Sequence, residues 1–264
     1  MATYAPDGII LASDSRTTFV RGPHHRVATD YARKLFVPCK GIGLACFGSA
    51  LVGRETIAGL VEKLIAERRI KDHSTPAEAS AAVVNFFSPR LEEYSRTSDV
   101  KIPPRLYGFL VAGYEEGVGR VSEVLLPKNA HGKTIVEHDF STLDEGAAIF
   151  RGRTRYIRRM LAGYDRYLMR EAKIEFPDET VERLKQVRYI LKRTISVQDA
   201  LDLATFIVRM TIDMERLTDG TIGQPGDSPR CGGSIQALLV TRNETVWISE
   251  APLKIRIQGL AELD

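Results

Sequence analysis

Apolar residues at the start of the chain come in short runs separated by turn residues, which is the pattern of β-hairpins. The Asp7-Gly8 pair predicts the tip of a first turn, and the apolar run at 8–13 predicts the strand that follows it and ends at Asp14. A second hairpin is predicted from strands at 34–38 and 42–48. The later strand is so rich in small and apolar residues that we expect it to be buried on both faces.

Apolar residues spaced three and four apart then predict helices. One helix covers 57–65, and a second begins at a capping box formed by Thr75 and Glu78. The predicted inward stripe of that second helix is Ala81, Val84, Phe87 and Leu91. A capping box at 196–199 begins another amphipathic helix, and residues 165–195 are dense enough in charge to predict a solvated helical insertion. The predicted inward residues of the helix after 196–199 are Ala200, Leu201, Ala204, Ile207 and Val208.

The order of elements indicates the fold class. Further strands are predicted at 106–113, 120–126, 147–150, 234–241 and 245–248. The chain therefore runs through strands, two helices, strands, two or three helices, and strands. Hairpins rather than β-α-β crossovers join most strands, so the sheets should be largely antiparallel. An α+β fold with two sheets between helical layers satisfies this order, and one domain over 1–264 is the simplest organisation.

Composition narrows the classes of function. The chain has 37 basic and 34 acidic residues, a net charge of +3, and this near-balance argues against a dedicated nucleic-acid binder. The arginine-rich stretch at 151–159 is a local exception, which we interpret as a solvated helix start or a subunit contact rather than an anion site. No apolar run approaches the roughly 20 residues of a membrane helix, and the first residues lack the basic-then-apolar pattern of a signal peptide. We therefore expect a soluble, cytoplasmic protein.

The cysteines give no sign of a metal site. Cys39, Cys46 and Cys231 are odd in number and are not spaced as metal ligands. Reduced thiols in a cytoplasmic protein fit this pattern best, and no metal or other cofactor is expected.

Three local features could carry chemistry. Asp14 ends an apolar strand, where an unpaired carboxylate would be costly to bury, and Lys34 enters another apolar strand. Gly48 lies where a strand is expected to pass into a helix, a junction that can leave a backbone N–H free to bind an oxyanion. Each has an ordinary explanation taken alone: a strand-end turn acid, an edge lysine and a helix-entry glycine. Together, in this order and spacing, they point away from these ordinary explanations and match a pattern found in a known family.

The same residues carry a resemblance to a known family. The segments at 7–18, 33–36 and 42–48 look like the opening third of a proteasome β-type subunit. Bacterial relatives share the pattern, including the self-compartmentalising peptidase that works with a ring ATPase. Two later segments, 196–203 and 231–242, resemble the family's later helix and its Ser-Gly-Gly strand. The similarity runs in order through most of the chain, with the charged insertion as the exception.

The resemblance implies a four-layer α-β-β-α sandwich in which an N-terminal threonine is both nucleophile and base. Asp14 and Lys34 would form an ion pair beside the N-terminus, and the Lys34 ammonium would lower the pKa of the threonine hydroxyl. The N–H of Gly48 would form the oxyanion hole. Thr18 would hydrogen-bond the substrate backbone, and Cys46 would line the pocket for the side chain before the cut.

The family also implies partners. The substrate would be a peptide or an unfolded protein, and the subunits would form a homo-oligomeric ring that could work with a ring ATPase. No cofactor, nucleic acid or membrane is implied.

Two positions depart from the family pattern. Cys231 stands where the family usually has serine, and a thiol supports a terminal amine less well than a hydroxyl does. The family's following acid has no clear equivalent, since Asp227 falls one residue out of register and Ser228 takes the matching position.

The position of the nucleophile is a further expectation. In the family it lies about sixteen residues before the acid that Asp14 matches, which places it three residues ahead of Met1. Thr3 is the other threonine to consider, but only three residues separate it from the Asp7-Gly8 turn, about half the length of the family's first strand. The sequence therefore predicts an upstream threonine and an inactive chain when it begins at Met1.

Two other functions stay open. The chain could be a non-catalytic structural subunit of a ring assembly with the same fold, or an amidase of the same superfamily that acts on a small amide. The presence of Lys34, Asp14 and Gly48 together favours the enzyme, because a scaffold needs no lysine at the start of a buried strand.

Overall fold

The protein has an α+β fold, seen here in a computed structural model. The structure describes residues 1–21, 24–72, 74–97, 107–126, 134–138, 148–164, 173, 175–192, 195–221, 224–225 and 229–250. Within these ranges the chain forms two five-stranded antiparallel sheets and five helices.

The elements have the following bounds. The strands are β1 (Ala2–Ala5), β2 (Gly8–Asp14), β3 (Thr17–Arg21), β4 (His24–Thr29), β5 (Leu35–Cys39), β6 (Ile42–Gly48), β7 (Leu51–Val52), β8 (Glu55–Thr56), β9 (Tyr107–Glu115), β10 (Val118–Leu126), β11 (Thr134–His138), β12 (Ala148–Ile149), β13 (Gly220–Thr221), β14 (Gln224–Pro225), β15 (Ile235–Val240) and β16 (Thr245–Ser249). The helices are α1 (Ile57–Ala66), α2 (Pro76–Thr97), α3 (Arg155–Ala162), α4 (Asp178–Gln186) and α5 (Val197–Leu217).

The first sheet has the strand order β12-β1-β2-β15-β16, and we call it the N-terminal sheet. The second has the order β11-β10-β9-β6-β5, and we call it the central sheet. Both are antiparallel throughout, so the prediction of antiparallel sheets is confirmed. Three short hairpins, β3–β4, β7–β8 and β13–β14, lie outside both sheets.

Alternating residues of β2 pack in opposite directions, as the two-residue period of a strand requires. Ile9 and Leu11 join a buried cluster that also holds Leu110 and Ala112 of the central sheet, so the two sheets share one core. Ile10 and its neighbours on the other face pack against α5 through its small residues, Ala200 and Ala204. One strand therefore links the shared core of the sheets to the longest helix beside the N-terminal sheet.

The central sheet packs against α1 and α2 on its other side. Phe109 and Val111 of β9 lie in a cluster with Leu60 of α1 and with Phe87 of α2. The capping box predicted for α2 is present, because Thr75 and Glu78 exchange side-chain and backbone hydrogen bonds. The reciprocal bonds satisfy two backbone N–H groups that the helix start leaves unpaired.

Most of the predicted elements are confirmed, with four corrections. The first turn has Pro6-Asp7 at its tip, because Gly8 already pairs with Ala5. Ala81 is exposed, and the inward positions of that turn of α2 are Ser80 and Val83 instead. The predicted burial of β6 on both faces fails at its end, where Gly48 is exposed.

The fourth correction concerns the residues after β6. Gly48 leads through Ser49 and Ala50 into the β7–β8 hairpin, and α1 starts only at Ile57. Of the predicted charged insertion, the described part contains α4, which has no buried residue, as expected for a solvated helix. No helix in the described part of the chain is both long and apolar enough to cross a membrane.

Candidate active site

The predicted pair of charged residues is present. The Nζ atom of Lys34 lies 2.7 Å from Oδ1 of Asp14, with only 20% and 12% of the two side chains exposed. Asp14 is the last residue of β2, the middle strand of the N-terminal sheet, and Lys34 immediately precedes β5, an edge strand of the central sheet, so the pair joins the two sheets. This prediction from the sequence is confirmed.

The second carboxylate oxygen of Asp14 binds two backbone amides. Its Oδ2 accepts hydrogen bonds from the N–H of Arg16 at 3.1 Å and from the N–H of Gly232 at 3.0 Å. Together with Lys34, these donors satisfy both oxygens of a carboxylate that is mostly removed from water. Asp14 is therefore held in one orientation from three sides.

The backbone around Lys34 is held by the buried side-chain amide of Gln236, which was not predicted from the sequence. The Gln236 side chain accepts from the N–H of Lys34 at 3.1 Å and donates to the carbonyl of Ala32 at 2.7 Å. Gln236 is fully buried. A single amide inside the apolar run of β15 was the signal in the sequence, because a buried polar side chain needs specific partners. Those partners lie 202 and 204 residues earlier in the chain and could not be read from β15 itself.

The glycines after Cys231 allow a close approach to the site. A Cβ atom added to Gly232 would lie 2.3 Å from the guanidinium carbon of Arg16, and one on Gly233 would lie 2.3 Å from Oγ of Ser15. Gly233 also has a φ of +73°, in the left-handed region. The carbonyl of Gly232 accepts from the N–H of Ser15 at 3.1 Å. The two glycines therefore let this turn pack directly on the residues that follow β2.

Both candidate-site cysteines lie close to the ion pair. The N–H of Cys46 donates to the carbonyl of Lys34 at 2.8 Å. Burial raises the pKa of the Cys46 thiol to about 11, with the Lys34 charge opposing the rise. Burial, and then the Asp14 and Glu215 carboxylates, raise the pKa of Cys231 to about 12. Neither thiol is ionised near neutral pH, which argues against a cysteine nucleophile.

Gly48 and Thr18 lie on elements that adjoin the site. Gly48 is two residues beyond Cys46 on β6, with a φ of +93° that favours glycine. Thr18 is half-buried on β3, paired with Val27, and follows Asp14 by four residues. Within the described ranges, no side-chain hydrogen bond or ion pair joins either residue to Lys34 or Asp14. The structure thus brings Asp14, Lys34, Cys46 and Cys231 together.

The beginning of β1 lies beside the same charges. The amino group of Met1 donates to the carbonyl of Ala12 at 2.7 Å, and the N–H of Ala12 donates back to Met1 at 3.0 Å. Burial lowers the pKa of the Met1 amine to about 5, with Asp14 opposing the change and Arg151 and Lys34 adding to it. An amine at this end of β1 is therefore within the electrostatic influence of the ion pair.

Thr3 is held away from the ion pair. It is fully buried in the middle of β1, paired with Ile10 and Ala148, and its Oγ1 donates to the carbonyl of Ala200 in α5 at 3.0 Å. A threonine nucleophile needs its hydroxyl beside the activating lysine. The geometry of Thr3 therefore does not suit that role.

The arginine-rich stretch has an internal function that was not expected. Arg151 forms hydrogen bonds with Glu123 of β10, and Arg153 binds Glu215 of α5 at 2.5 Å. Both glutamates are buried. The interpretation as a solvated helix start missed these pairings, in which the two arginines neutralise buried carboxylates although Arg153 keeps 38% of its side chain exposed.

Glu215 was also missed from the sequence. Its Oε2 accepts from the backbone N–H groups of Arg230 at 2.6 Å and Cys231 at 2.7 Å. The inward stripe of α5 predicted up to Val208 continues through Thr211 to Glu215, and both are buried. That continuation was the available signal, because a carboxylate on an inward stripe must have partners. Asp227 and Ser228, the two residues at or next to the position of the family's following acid, lie outside the described residues.

No group of three or more histidine, cysteine, aspartate or glutamate side chains in the described part of the chain is arranged to hold a metal ion. Comparison with protein-family models finds none that matches the chain, and comparison with curated proteins finds none that is significantly similar.

Proposed function

We propose that this chain is a proteasome-like subunit that hydrolyses peptide bonds through a threonine at the third position ahead of Met1. The observation that carries the proposal is the Lys34–Asp14 ion pair, with its 2.7 Å contact, beside the start of β1. A buried lysine held by a carboxylate is the group that activation of a threonine hydroxyl requires.

The register of β1 supports this position for the nucleophile. Ala2 pairs with Leu11, and Met1 exchanges both backbone hydrogen bonds with Ala12, so the antiparallel ladder still continues at Met1. Each further residue of such a ladder moves its partner on by one. Three residues, about 10 Å of strand, would bring the nucleophile opposite Ser15 and past Asp14.

In the proposed reaction the threonine hydroxyl attacks the peptide carbonyl while its free α-amine accepts the hydroxyl proton. The Lys34 ammonium stabilises the developing alkoxide, and Asp14 keeps the ammonium in place. Collapse of the tetrahedral intermediate breaks the C–N bond, and the α-ammonium returns the proton to the leaving amine. Water then hydrolyses the ester, with the α-amine as base, and regenerates the threonine.

The other site residues take supporting roles in this proposal. The N–H of Gly48 donates to the oxyanion of the intermediate, and the positive φ of Gly48 turns the chain at that point. Thr18 holds the substrate backbone, Cys46 lines the side-chain pocket, and Cys231 lies near the terminal amine.

The packing of the helices supports the corresponding fold. Because α5 packs on the N-terminal sheet, α2 packs on the central sheet and the sheets share a core, we propose a four-layer α-β-β-α arrangement. In the same proposal the subunits form closed homo-oligomeric rings in the cytoplasm. Their substrate is a peptide or an unfolded protein, and a ring ATPase is the partner to test.

The experiment compares three proteins: the chain beginning at Met1, the chain extended by three residues whose first is a threonine with a free α-amine, and the same extension with alanine in its place. We expect only the threonine form to cleave fluorogenic peptides, and an epoxyketone inhibitor to attach to that threonine. Lys34→Ala in the threonine form should abolish cleavage.

Other outcomes would contradict the proposal. Cleavage by the Met1 form with the inhibitor attached at Thr3 would show that the register is wrong. No cleavage by any form, together with normal folding of all three, would favour a non-catalytic subunit of the same fold.

A further inference from the structure

Glu215 is a buried carboxylate with no part in the proposed chemistry. It lies in the last turns of α5, and only 4% of the residue is exposed. Its Oε1 binds Arg153, and its Oε2 binds the amides of Arg230 and Cys231 at 2.6 and 2.7 Å. Two backbone donors that converge on one oxygen fix the direction of the chain at that point.

The next amide along the chain reaches the candidate site. The N–H of Gly232 donates to Oδ2 of Asp14 at 3.0 Å, and the other oxygen of Asp14 binds Lys34. The carbonyl of Gly232 is bound by Ser15 at 3.1 Å. Glu215 is therefore separated from the Lys34–Asp14 pair by a single turn of three residues, 230–232.

We propose that Glu215 is a positioning residue for the Lys34–Asp14 pair. By holding the amides of Arg230 and Cys231 it sets the position of the Gly232 amide on Asp14. The effect on turnover rests on the proposed function, whereas the effect on the geometry of Asp14 does not.

Arg16 also contacts this turn, but less strongly. Arg16 reaches the carbonyls of Pro229 and Cys231 at 3.4 and 3.5 Å, at the limit of a hydrogen bond. The main interaction of Arg16 is with both carboxylate oxygens of Asp30, at 2.6 and 3.0 Å. Without Glu215, two partly buried amides would lose their acceptor, and the turn would have to move toward water or another acceptor.

The test uses Glu215→Ala and Glu215→Gln, each in the Met1 form for crystallography and in the threonine-extended form for kinetics. In Glu215→Ala we expect the distance from the Gly232 nitrogen to Oδ2 of Asp14 to exceed about 3.5 Å. We expect kcat to fall about a hundredfold, because a displacement of about 1 Å at a reacting group can cost that much, and KM to change little. Glu215→Gln keeps a side-chain oxygen that can accept from the two backbone amides. Its Gly232–Asp14 distance and its kcat should therefore stay close to those of the wild-type protein.

Glu123→Gln and Glu123→Ala are the matched controls. Glu123 is as buried as Glu215 and is bound by Arg151, which belongs to the same arginine-rich stretch as Arg153. Its hydrogen-bond partners, Arg151 and His138, include neither residues 230–232 nor Asp14. Glu123→Ala should lower the melting temperature by about as much as Glu215→Ala does, while the Gly232–Asp14 hydrogen bond persists.

A folded Glu215→Ala protein with the Gly232–Asp14 distance unchanged and kcat within about threefold of wild type would overturn the inference. If the threonine-extended chain shows no activity at all, the proposed function fails, and the crystallographic distance alone then decides this inference. If Glu215→Ala does not fold, Glu215→Met takes its place, because methionine keeps much of the volume but has no oxygen that can accept from the two backbone amides. The distance from the Gly232 nitrogen to Oδ2 of Asp14 then decides in the same way.

Discussion

Replacing Lys34 by methionine tests the ion pair most directly. Methionine keeps much of the length and apolar character of the lysine stem but removes the charge. Asp14 would lose its partner at 2.7 Å while keeping the two amide donors of Arg16 and Gly232. We expect the free energy of unfolding to fall and peptide cleavage by the threonine-extended form to disappear.

The size of the loss follows from the geometry. At 2.7 Å and an effective dielectric constant of about 20, two unit charges attract by about 6 kcal/mol. Desolvation of both groups offsets most of this attraction, and removing one partner of a buried pair usually costs about 3–5 kcal/mol. Because Asp14 retains two donors and some exposure, we expect a loss of about 2–3 kcal/mol for Lys34→Met.

The assay is denaturant unfolding of the Met1 form, so that stability is measured apart from activity. Lys63→Met is the matched control, because Lys63 is paired with Glu55 and the two side chains are 57% and 50% exposed. Exposed pairs contribute about 0–1 kcal/mol. Lys34→Met should therefore shift the midpoint by clearly more than Lys63→Met does, with an unchanged slope.

Two results would refute the reasoning. Equal losses in Lys34→Met and Lys63→Met would mean that the Lys34–Asp14 pair contributes no more than a surface pair. Peptide cleavage at the wild-type rate by the threonine-extended Lys34→Met protein would mean that Lys34 does not activate the nucleophile.

Two further predictions concern stability. Burial acts to raise the pKa of Glu123, but hydrogen bonds from Arg151 and His138 outweigh it and lower that pKa to about 2. A depressed acid pKa stabilises the fold at pH values above the ordinary pKa of 4.5, and this contribution is lost as the pH falls toward 2. Glu123→Gln should therefore lower the free energy of unfolding by about 3 kcal/mol at neutral pH and flatten the acid side of the plot of stability against pH. An unchanged acid side would contradict this. Gly233→Ala should lower the free energy of thermal unfolding by at least about 3 kcal/mol, because its Cβ would lie 2.3 Å from Oγ of Ser15. Gly163→Ala is the control: Gly163 has a similar φ of +75° but nothing within 4 Å of an added Cβ, so the loss should be about 1 kcal/mol. Equal losses at the two glycines would count against the close approach.

Local patterns in the sequence were enough to predict most elements. The short apolar runs bounded by turn residues, as in β2 and β15, reflect strands that are buried in the core, and the three- and four-residue spacing in α1 and α5 reflects burial of one helix face. The capping boxes of α2 and α5 are also local, since each is completed within four residues. Such features depend on neighbours in the chain, so the sequence states them directly.

The candidate site was predicted only in part. Asp14 and Lys34 could be recognised because each is a charged residue at the end of an apolar strand, a position that demands a partner. The helix expected directly after Gly48 was wrong, because the β7–β8 hairpin intervenes. Pattern reasoning cannot detect two-residue strands, whose pairing depends on only a few contacts.

Most of the strands and helices, the antiparallel pairing of hairpin neighbours and the two charged residues that needed a partner could be read from the amino-acid sequence. The partners of the buried polar groups could not, because they depend on how the chain packs. Gly232 binds Asp14 across 218 positions, and Gln236 holds the Lys34 segment from more than 200 positions away. A buried polar group must find a donor or an acceptor, but nothing in its local sequence specifies where in the chain that partner lies. Packing of the two sheets and α5 makes that choice, because it brings the ends of distant strands within hydrogen-bonding distance.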